Sequence, residues 1–274
     1  MKKSCVSEKR RGPITLGCVY LKHLVKGKTT HGIHSPFLFN FLKDCVYAKV
    51  SFKEFDDIEK QRYRLKKDNR VIEVCDFGSY KSESESFVER KQKISSIAKT
   101  SLKSPRQAML LYKIAGYFKC HNILELGTSL GITSAYMSKA CPGSVLNTIE
   151  GCPQVAKTAQ GVFDALAIDN IRLHIGDIDK LLVPVLKETG APDMIFIDAN
   201  HTKQATLYYF DVLLNHIYKN TVIVIDDIHW SKGMEDAWNK ICEHPDVSVT
   251  VDLFYMGIIF FREGLSKEDF LIKC

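Results

Sequence analysis

The stretch from Asn122 to Ile132, NILELGTSLGI, limits the possible folds more than any other part of the chain. An apolar strand-like run stops at a glycine turn and gives way to a helix-forming segment. This is how an α/β protein opens a pocket for a nucleotide-like ligand at the end of a strand. Gly127 can take backbone angles closed to other residues, and Gly131 lets the following helix pack closely, so a ligand can approach the main chain. The spacing is Glu-x-Gly-x-x-x-Gly. It is neither the dinucleotide fingerprint Gly-x-Gly-x-x-Gly nor a P-loop, which needs Lys-Ser or Lys-Thr after the turn. The ligand therefore need not offer a phosphate.

Two further strands follow in the order a doubly wound sheet requires. Val145 to Glu150 is apolar and ends in a carboxylate about twenty residues past the turn, where such folds place an acid against ribose hydroxyls. Ile171 to Asp177 is a third strand ending in Gly-Asp, and Asp177 is also a suitable N-cap for the helix expected from Ile178. In this pattern the chain resembles the class I S-adenosylmethionine-dependent methyltransferases. The resemblance implies donor binding by Glu125, Gly127, Thr128, Ser129, Gly131, Glu150, Asp177 and Asp198, with Glu150 on the ribose and Asp177 beside the adenine amino group.

The fourth and fifth strands bring acids to the same edge. Met194 to Ile197 runs into Asp198-Ala199-Asn200-His201, and Val222 to Ile225 runs into Asp226-Asp227-Ile228-His229-Trp230. Both runs are apolar throughout, as parallel strands buried on two faces are, so Asp198, Asp226 and Asp227 emerge together at the carboxyl edge of one sheet. Converging carboxylates repel unless a cation joins them, and oxygen ligands suit Mg²⁺. The alternative is that Asp198 and Asp226 cap helices while Asp227 is solvated. The pattern resembles the metal-dependent O-methyltransferases of catechol, caffeoyl-coenzyme A and sugar type, in which acids at these positions hold the cation. His201 stands where the catechol type has lysine and several sugar-type relatives have histidine. It is the candidate general base, against a plain helix-start role. Trp230 is a candidate wall for substrate or donor, or ordinary packing.

Composition bounds the rest. With 45% apolar and 26% charged residues in 274, the chain suits a globular protein with one large core and an appendage. No apolar run is long enough to span a bilayer, and no signal core follows the N-terminal lysines, so stable membrane insertion is not expected and a cytoplasmic protein is. Nine cysteines, an odd number without Cys-x-x-Cys spacing, point to reduced thiols rather than disulfides or zinc. Residues 1–28 carry eight Lys or Arg against Glu8 alone, a net +7; since the whole chain is +6, the remainder is near −1. This basic arm is either a solvated terminus or a surface for RNA or anionic lipid.

Before the first strand, the turn from His31 to Pro36 precedes a short apolar segment, Phe37 to Val46. Its two histidines lack a third ligand and read as a turn before a helix. A charged helix is expected over Phe52 to Lys67, a mobile polar loop over Asp76 to Ser79 and Lys81 to Glu89, and helices over Lys91 to Ala98 and Pro105 to Phe118. Near the end, Val247 to Leu253 and Met256 to Arg262 read as adjacent strands.

The expectation is thus an α/β, Rossmann-like, seven-stranded sheet closed by an antiparallel pair. Residues 119–274 form the S-adenosylmethionine-binding domain, and residues 1–118 form a helical cap with the basic arm and loop. The expected activity is Mg²⁺-assisted methylation of a hydroxyl on a small diol, aromatic or sugar; a homodimer is compatible with it. The alternatives are an RNA methyltransferase working through the basic arm, and a methyltransferase-fold protein that binds without catalysis.

Overall fold

The computed structural model describes residues 10–76 and 88–273. Lys2, Lys3, Glu8 and Lys9 of the basic arm, and residues 77–87 of the expected loop, lie outside the described residues. The N-terminal elements are α1 (Pro13–Lys26), α2 (Pro36–Phe41), α3 (Asp56–Lys67), the strands β1 (Val71–Asp76) and β2 (Val88–Lys93), α4 (Ile94–Ser101) and α5 (Pro105–Tyr117). There follow β3 (Asn122–Leu126), α6 (Ile132–Ser138), β4 (Val145–Glu150), α7 (Pro153–Ala165), β5 (Ile171–Ile175), α8 (Ile178–Thr189), β6 (Met194–Ile197) and α9 (Lys203–Leu214). The chain ends with β7 (Val222–Asp226), α10 (Lys232–Cys242), β8 (Val249–Asp252), β9 (Met256–Phe260) and β10 (Glu268–Leu271).

The main sheet has the order β10-β8-β9-β7-β6-β3-β4-β5. Strands β3 to β7 are parallel, and β9 is antiparallel to both β7 and β8, which is the expected closing pair. The sheet has eight strands rather than seven because β10 adds to β8 in parallel. Of that strand only Phe270 is buried while its two acids are exposed, so in sequence it looks like a loop; charged, short edge strands are common because they discourage further pairing. A second addition is the antiparallel hairpin β1–β2, whose strands flank the polar run expected as loop.

Side chains alternate through the central strands. Ile123, Phe196, Val224 and Ile258 face one core and Leu124, Ile195, Ile223 and Ile259 face the other. Both faces are therefore dry, as the uninterrupted apolar runs imply. One face is covered by α8, α9 and α10. The other is covered by α2, the π-helical turn Leu42–Val46 and α5. The expected division at residue 118 therefore does not coincide with a break in the core, because Leu38, Phe41 and Leu42 pack on the sheet itself. A third cluster joins α3 and α4 to α6 and α7 through Ile58, Leu65, Ile97, Tyr136 and Val155.

Local signals explain the helix starts. Ser104 and Gln107 form a reciprocal capping box at α5, Ser35 precedes Pro36 as N-cap of α2, and Ser231 caps α10. Helix α3 was expected to keep its charged face in water, yet Arg62 is buried, held by Glu59, and its Nη1 donates to the Lys103 carbonyl oxygen. Among the described residues no helix is long and apolar enough to cross a membrane.

Phe41 is fully buried, with its ring 5.4 Å from that of Phe260 and 5.6 Å from that of Phe118. If residues 36–46 are part of the sheet's core rather than a detachable lid, Phe41→Ala should cost about 3–5 kcal/mol of unfolding free energy. Urea unfolding followed by circular dichroism measures this. A loss under about 1 kcal/mol would mean that the segment only rests on the surface.

Candidate functional site

The sheet order reverses at β3, which lies between β4 and β6, so a crevice opens beyond the carboxyl ends of these strands. Gly127 follows β3 with φ 97°, and a Cβ there would sit 2.2 Å from the carbonyl oxygen of Asp198. No side chain fits. Gly131 starts α6 with φ 77°, and a Cβ would meet the Phe163 ring at 2.6 Å. Between them Ser129 is also left-handed, at φ 50°. Non-glycine residues held in this region carry strain and concentrate at functional sites. Asn200, His201 and Asp227 share it, with φ of 61°, 33° and 54°.

Glu150 ends β4 beside this turn. Its two oxygens accept from the backbone amides of Ser129 and Cys152, each at 2.9 Å. A carboxylate has about four lone-pair sites, so acceptor capacity remains for a ligand's hydroxyls. Burial pushes its pKa up against these amide bonds. Asp177 sits at the N-cap of α8 and accepts from the Asp179 amide at 3.1 Å, the capping arrangement that its position allowed.

Glu125 is turned toward the interior. It is fully buried, and one oxygen accepts from the hydroxyls of Ser134 at 2.5 Å and Thr148 at 2.7 Å. Thr128 is buried as well, with its hydroxyl 2.6 Å from that of Thr148. Both therefore brace the glycine turn from within, because alternation along β3 directs Glu125 into the space between sheet and α6.

The acids converge only in part. Asp198, His201 and Asp226 offer ligand atoms within 4.8 Å of one another, a group that does not include Asp227. Asp226 is the last residue of β7, and Asp227 leaves the strand with a positive φ, so the neighbouring carboxylates do not share one side. His201 Nε2 lies 3.3 Å from Asp198 Oδ1. The residue that sequence reasoning missed is Lys103, in the link between α4 and α5. Its ammonium lies 3.1 Å from Asp198 Oδ1 and also bonds Asp226. Nothing in the run Leu102-Lys103-Ser104-Pro105 marks this lysine, since a cation before a helix start is ordinarily solvated. Tertiary contacts hold it: Arg62 grips its carbonyl and the capping box fixes the next residue.

The charges follow from this contact. Burial lowers the tendency of Lys103 to stay protonated, but Asp198, Asp226 and Asp227 outweigh it and keep the ammonium charged. Burial also raises the Asp198 carboxyl; Lys103 and His201 overcome that and hold it below the usual carboxylate range. Asp226 goes the other way, pushed up by burial and by the Asp198 charge, and its Oδ1 has no hydrogen-bond partner.

Two carboxylates and an imidazole are suitable donors for a divalent ion, but the position between the carboxylates is filled by the Lys103 ammonium. A second cation there would face it at contact range, where like charges repel strongly in a buried site. The expected Mg²⁺ therefore does not fit this arrangement while Lys103 bridges the acids.

Residues 124–228 match a protein-family model described as a methyltransferase domain. A catechol O-methyltransferase of Niastella koreensis is 34% identical over 128 residues, which cover 46% of this chain and 57% of that relative. The chain thus matches a little over half the length of this curated relative. An O-methyltransferase from Bacillus cereus solved with S-adenosylhomocysteine superimposes with TM-score 0.54 at 19% identity, covering 81% of this chain and 96% of the other. A methyltransferase from Podospora anserina gives TM-score 0.57 at 13% identity, with coverage of 94% and 100%. An O-methyltransferase of tomaymycin synthesis from Streptomyces achromogenes gives 0.51 at 24% identity, covering 59% and 82%. The fold is the one these solved methyltransferases share, and the resemblance to methyltransferases read from the sequence holds.

Burial raises the Glu125 carboxyl from 4.5 to about 8. Between these two values the unfolded chain gives up a proton that the folded chain keeps, so this group's stabilising contribution is complete below 4.5 and is lost as pH rises to about 8. Glu125→Gln should remove that slope. Thermal melts of both proteins across this range would test it; parallel pH profiles would show that the carboxyl ionises normally in place.

Proposed function

We propose that this chain is an S-adenosylmethionine-dependent O-methyltransferase acting on a hydroxyl of a small aromatic or sugar diol. The observation that carries the reading is the junction of the two halves of the site. The glycine turn at Gly127 lies against the main chain of Asp198, and the side chain of that residue holds both Lys103 and His201. A donor seated on the turn and an acceptor seated on the acids would thus be neighbours.

When bound, S-adenosylmethionine supplies an electrophilic methyl group on a positively charged sulfur. Glu150 accepts hydrogen bonds from the donor's ribose hydroxyls, beside the Ser129 amide. Asp177 stands at the next strand end for the adenine. His201, about one-third exposed at its side chain, accepts the acceptor's hydroxyl proton as the new oxygen–carbon bond forms and the carbon–sulfur bond breaks. Lys103 supplies positive charge next to the developing oxyanion, the role expected of a divalent ion in the metal-dependent relatives. The strained backbone at Asn200 and His201 fixes where the imidazole can stand.

The alternative RNA reading rests on the basic arm, of whose described cations Lys22, Lys26 and Lys28 are exposed while two others are engaged within the fold. Arg10 stacks on Trp230 at 3.8 Å and Arg11 pairs with Glu235, so both serve the fold. The same contact gives Trp230 a packing role.

Glu150→Ala should weaken S-adenosylmethionine binding by about 1–3 kcal/mol, read by titration calorimetry, with the melting temperature nearly unchanged. Wild-type affinity in that variant would move the ribose site elsewhere.

With catechols and sugar diols as acceptors, His201→Ala should lower kcat by roughly 10²–10⁴-fold and leave donor affinity alone. Turnover should also persist in a metal chelator, because Lys103 supplies the cation. Loss of activity in chelator, restored by Mg²⁺, would show that Lys103 withdraws for a metal.

A further inference from the structure

A second constellation of ligand-type side chains lies outside this site. His23 of α1, His229 of the loop after β7 and Asp252 at the end of β8 offer ligand atoms within 4.8 Å of one another. All three are buried, at 5%, 9% and 7% exposure. We propose that His23, His229 and Asp252 form a binding site for a divalent transition-metal ion, zinc by preference, which fastens α1 to the edge of the sheet. This inference does not depend on the methyltransferase reading.

The hydrogen-bond inventory points to the ligand. His23 Nε2 lies 3.0 Å from the carbonyl oxygen of Ile272, which can only accept, so Nε2 carries the proton. In neutral His23 the lone pair is then on Nδ1, which has no hydrogen-bond partner and faces Asp252 Oδ1 at 3.5 Å. Two acceptors turned toward each other in a buried place are unfavourable unless a proton or a metal ion lies between them, and among the described residues Asp252 Oδ1 accepts otherwise only from the Phe254 amide at 2.7 Å. His229 Nε2 lies 2.8 Å from Asp252 Oδ2, and its Nδ1 is likewise without a hydrogen-bond partner, 3.9 Å from Glu235 Oε1.

The distances are close to those of a metal site. Zinc bonds of about 2.0–2.1 Å in tetrahedral geometry separate neighbouring ligand atoms by about 3.3–3.4 Å. The contacts to Asp252, 3.5 Å from His23 to Oδ1 and 2.8 Å from His229 to Oδ2, lie on either side of that value, so small side-chain shifts would seat an ion.

The surroundings fit as well. A ligating histidine usually donates its other N–H to a carbonyl or carboxylate, which fixes the ring. Ile272 does this for His23. Glu235 stands ready for His229 once its proton moves from Nε2 to Nδ1, although its other oxygen is held by Arg11. The Phe254 ring stacks on His229 at 5.2 Å and meets His23 edge-on at 5.4 Å, which keeps water from one side. Imidazole nitrogen with one carboxylate suits zinc better than Mg²⁺. The fourth position falls to a water.

The test uses the full chain stripped with a chelator and dialysed. Zinc chloride should bind at one equivalent and raise the melting temperature, and cobalt(II) should give the visible absorption of a tetrahedral site. His23→Gln, which can still donate to Ile272, should weaken zinc binding tenfold or more. In wild-type protein, zinc should shift the ¹⁵N resonance of His23 Nδ1 directly, a readout that needs no variant to fold. Absence of zinc binding, unchanged affinity in His23→Gln, or unshifted His23 nitrogens would overturn the proposal and leave a plain ion pair. Zinc that disappears in Asp226→Asn but stays in His23→Gln would lie in the other acid cluster, and would overturn it too.

Discussion

The contact on which the site depends is one between main chains. The carbonyl of Asp198 crosses Gly127 so closely that a single methyl group at that position would collide with it at 2.2 Å. The approach is fixed from both sides, since the Asp198 amide donates to Leu126 at 2.8 Å and the Gly127 amide donates to Ile149 at 3.0 Å. Strands β3, β4 and β6 thus end at one level, where the sheet order reverses. A residue with a side chain at 127 would push the end of β6 away, and with it both Asp198 and His201. The glycine turn and the acids are for this reason one rigid unit.

Charge sets the second constraint. Asp198 and Asp226 lie too close for both to be ionised in a buried place without compensation, and Lys103 supplies it. That lysine is itself held by a chain of polar contacts reaching across the third core cluster, in which Tyr136 donates to Glu59 at 2.7 Å, Glu59 accepts from Arg62, and Arg62 donates to the Lys103 carbonyl. Helix α3 is in this way coupled to the site. A buried guanidinium left without these acceptors would be costly, so the network stands or falls as a unit.

The N-terminal third is built into the same object. α5 and residues 36–46 supply one covering layer of the sheet, and the residues flanking α1 bond through their backbones to the loop after β7, from Arg11 to Trp230, and to the edge strand β10, from Lys28 to Leu271. The loop after β7 therefore carries two kinds of duty. Asp226 begins it in the acid cluster, and His229 and Trp230 continue it into contacts with α1 and its preceding residues.

Much of the fold was legible from local pattern. The apolar runs at Ile123, Val145, Met194 and Val222 read as strands, and glycine at 127 and 131 as a tight turn. The helix expected from Pro105 is α5. Carboxylates at the strand ends followed from the same runs, because a strand that leaves the core must end in something polar. The structure alone decided what those carboxylates meet. Whether Asp227 or His201 joins Asp198 and Asp226 depends on a backbone angle just past β7, and whether Glu125 faces the crevice or the interior depends on one step of strand alternation. Lys103 reaches the acids from a link that is 95 residues away from Asp198 in sequence and resembles any solvated loop. Period and composition act over a few neighbours and therefore reveal elements; a salt bridge between distant loops depends on how those elements pack, and only the assembled core specifies it.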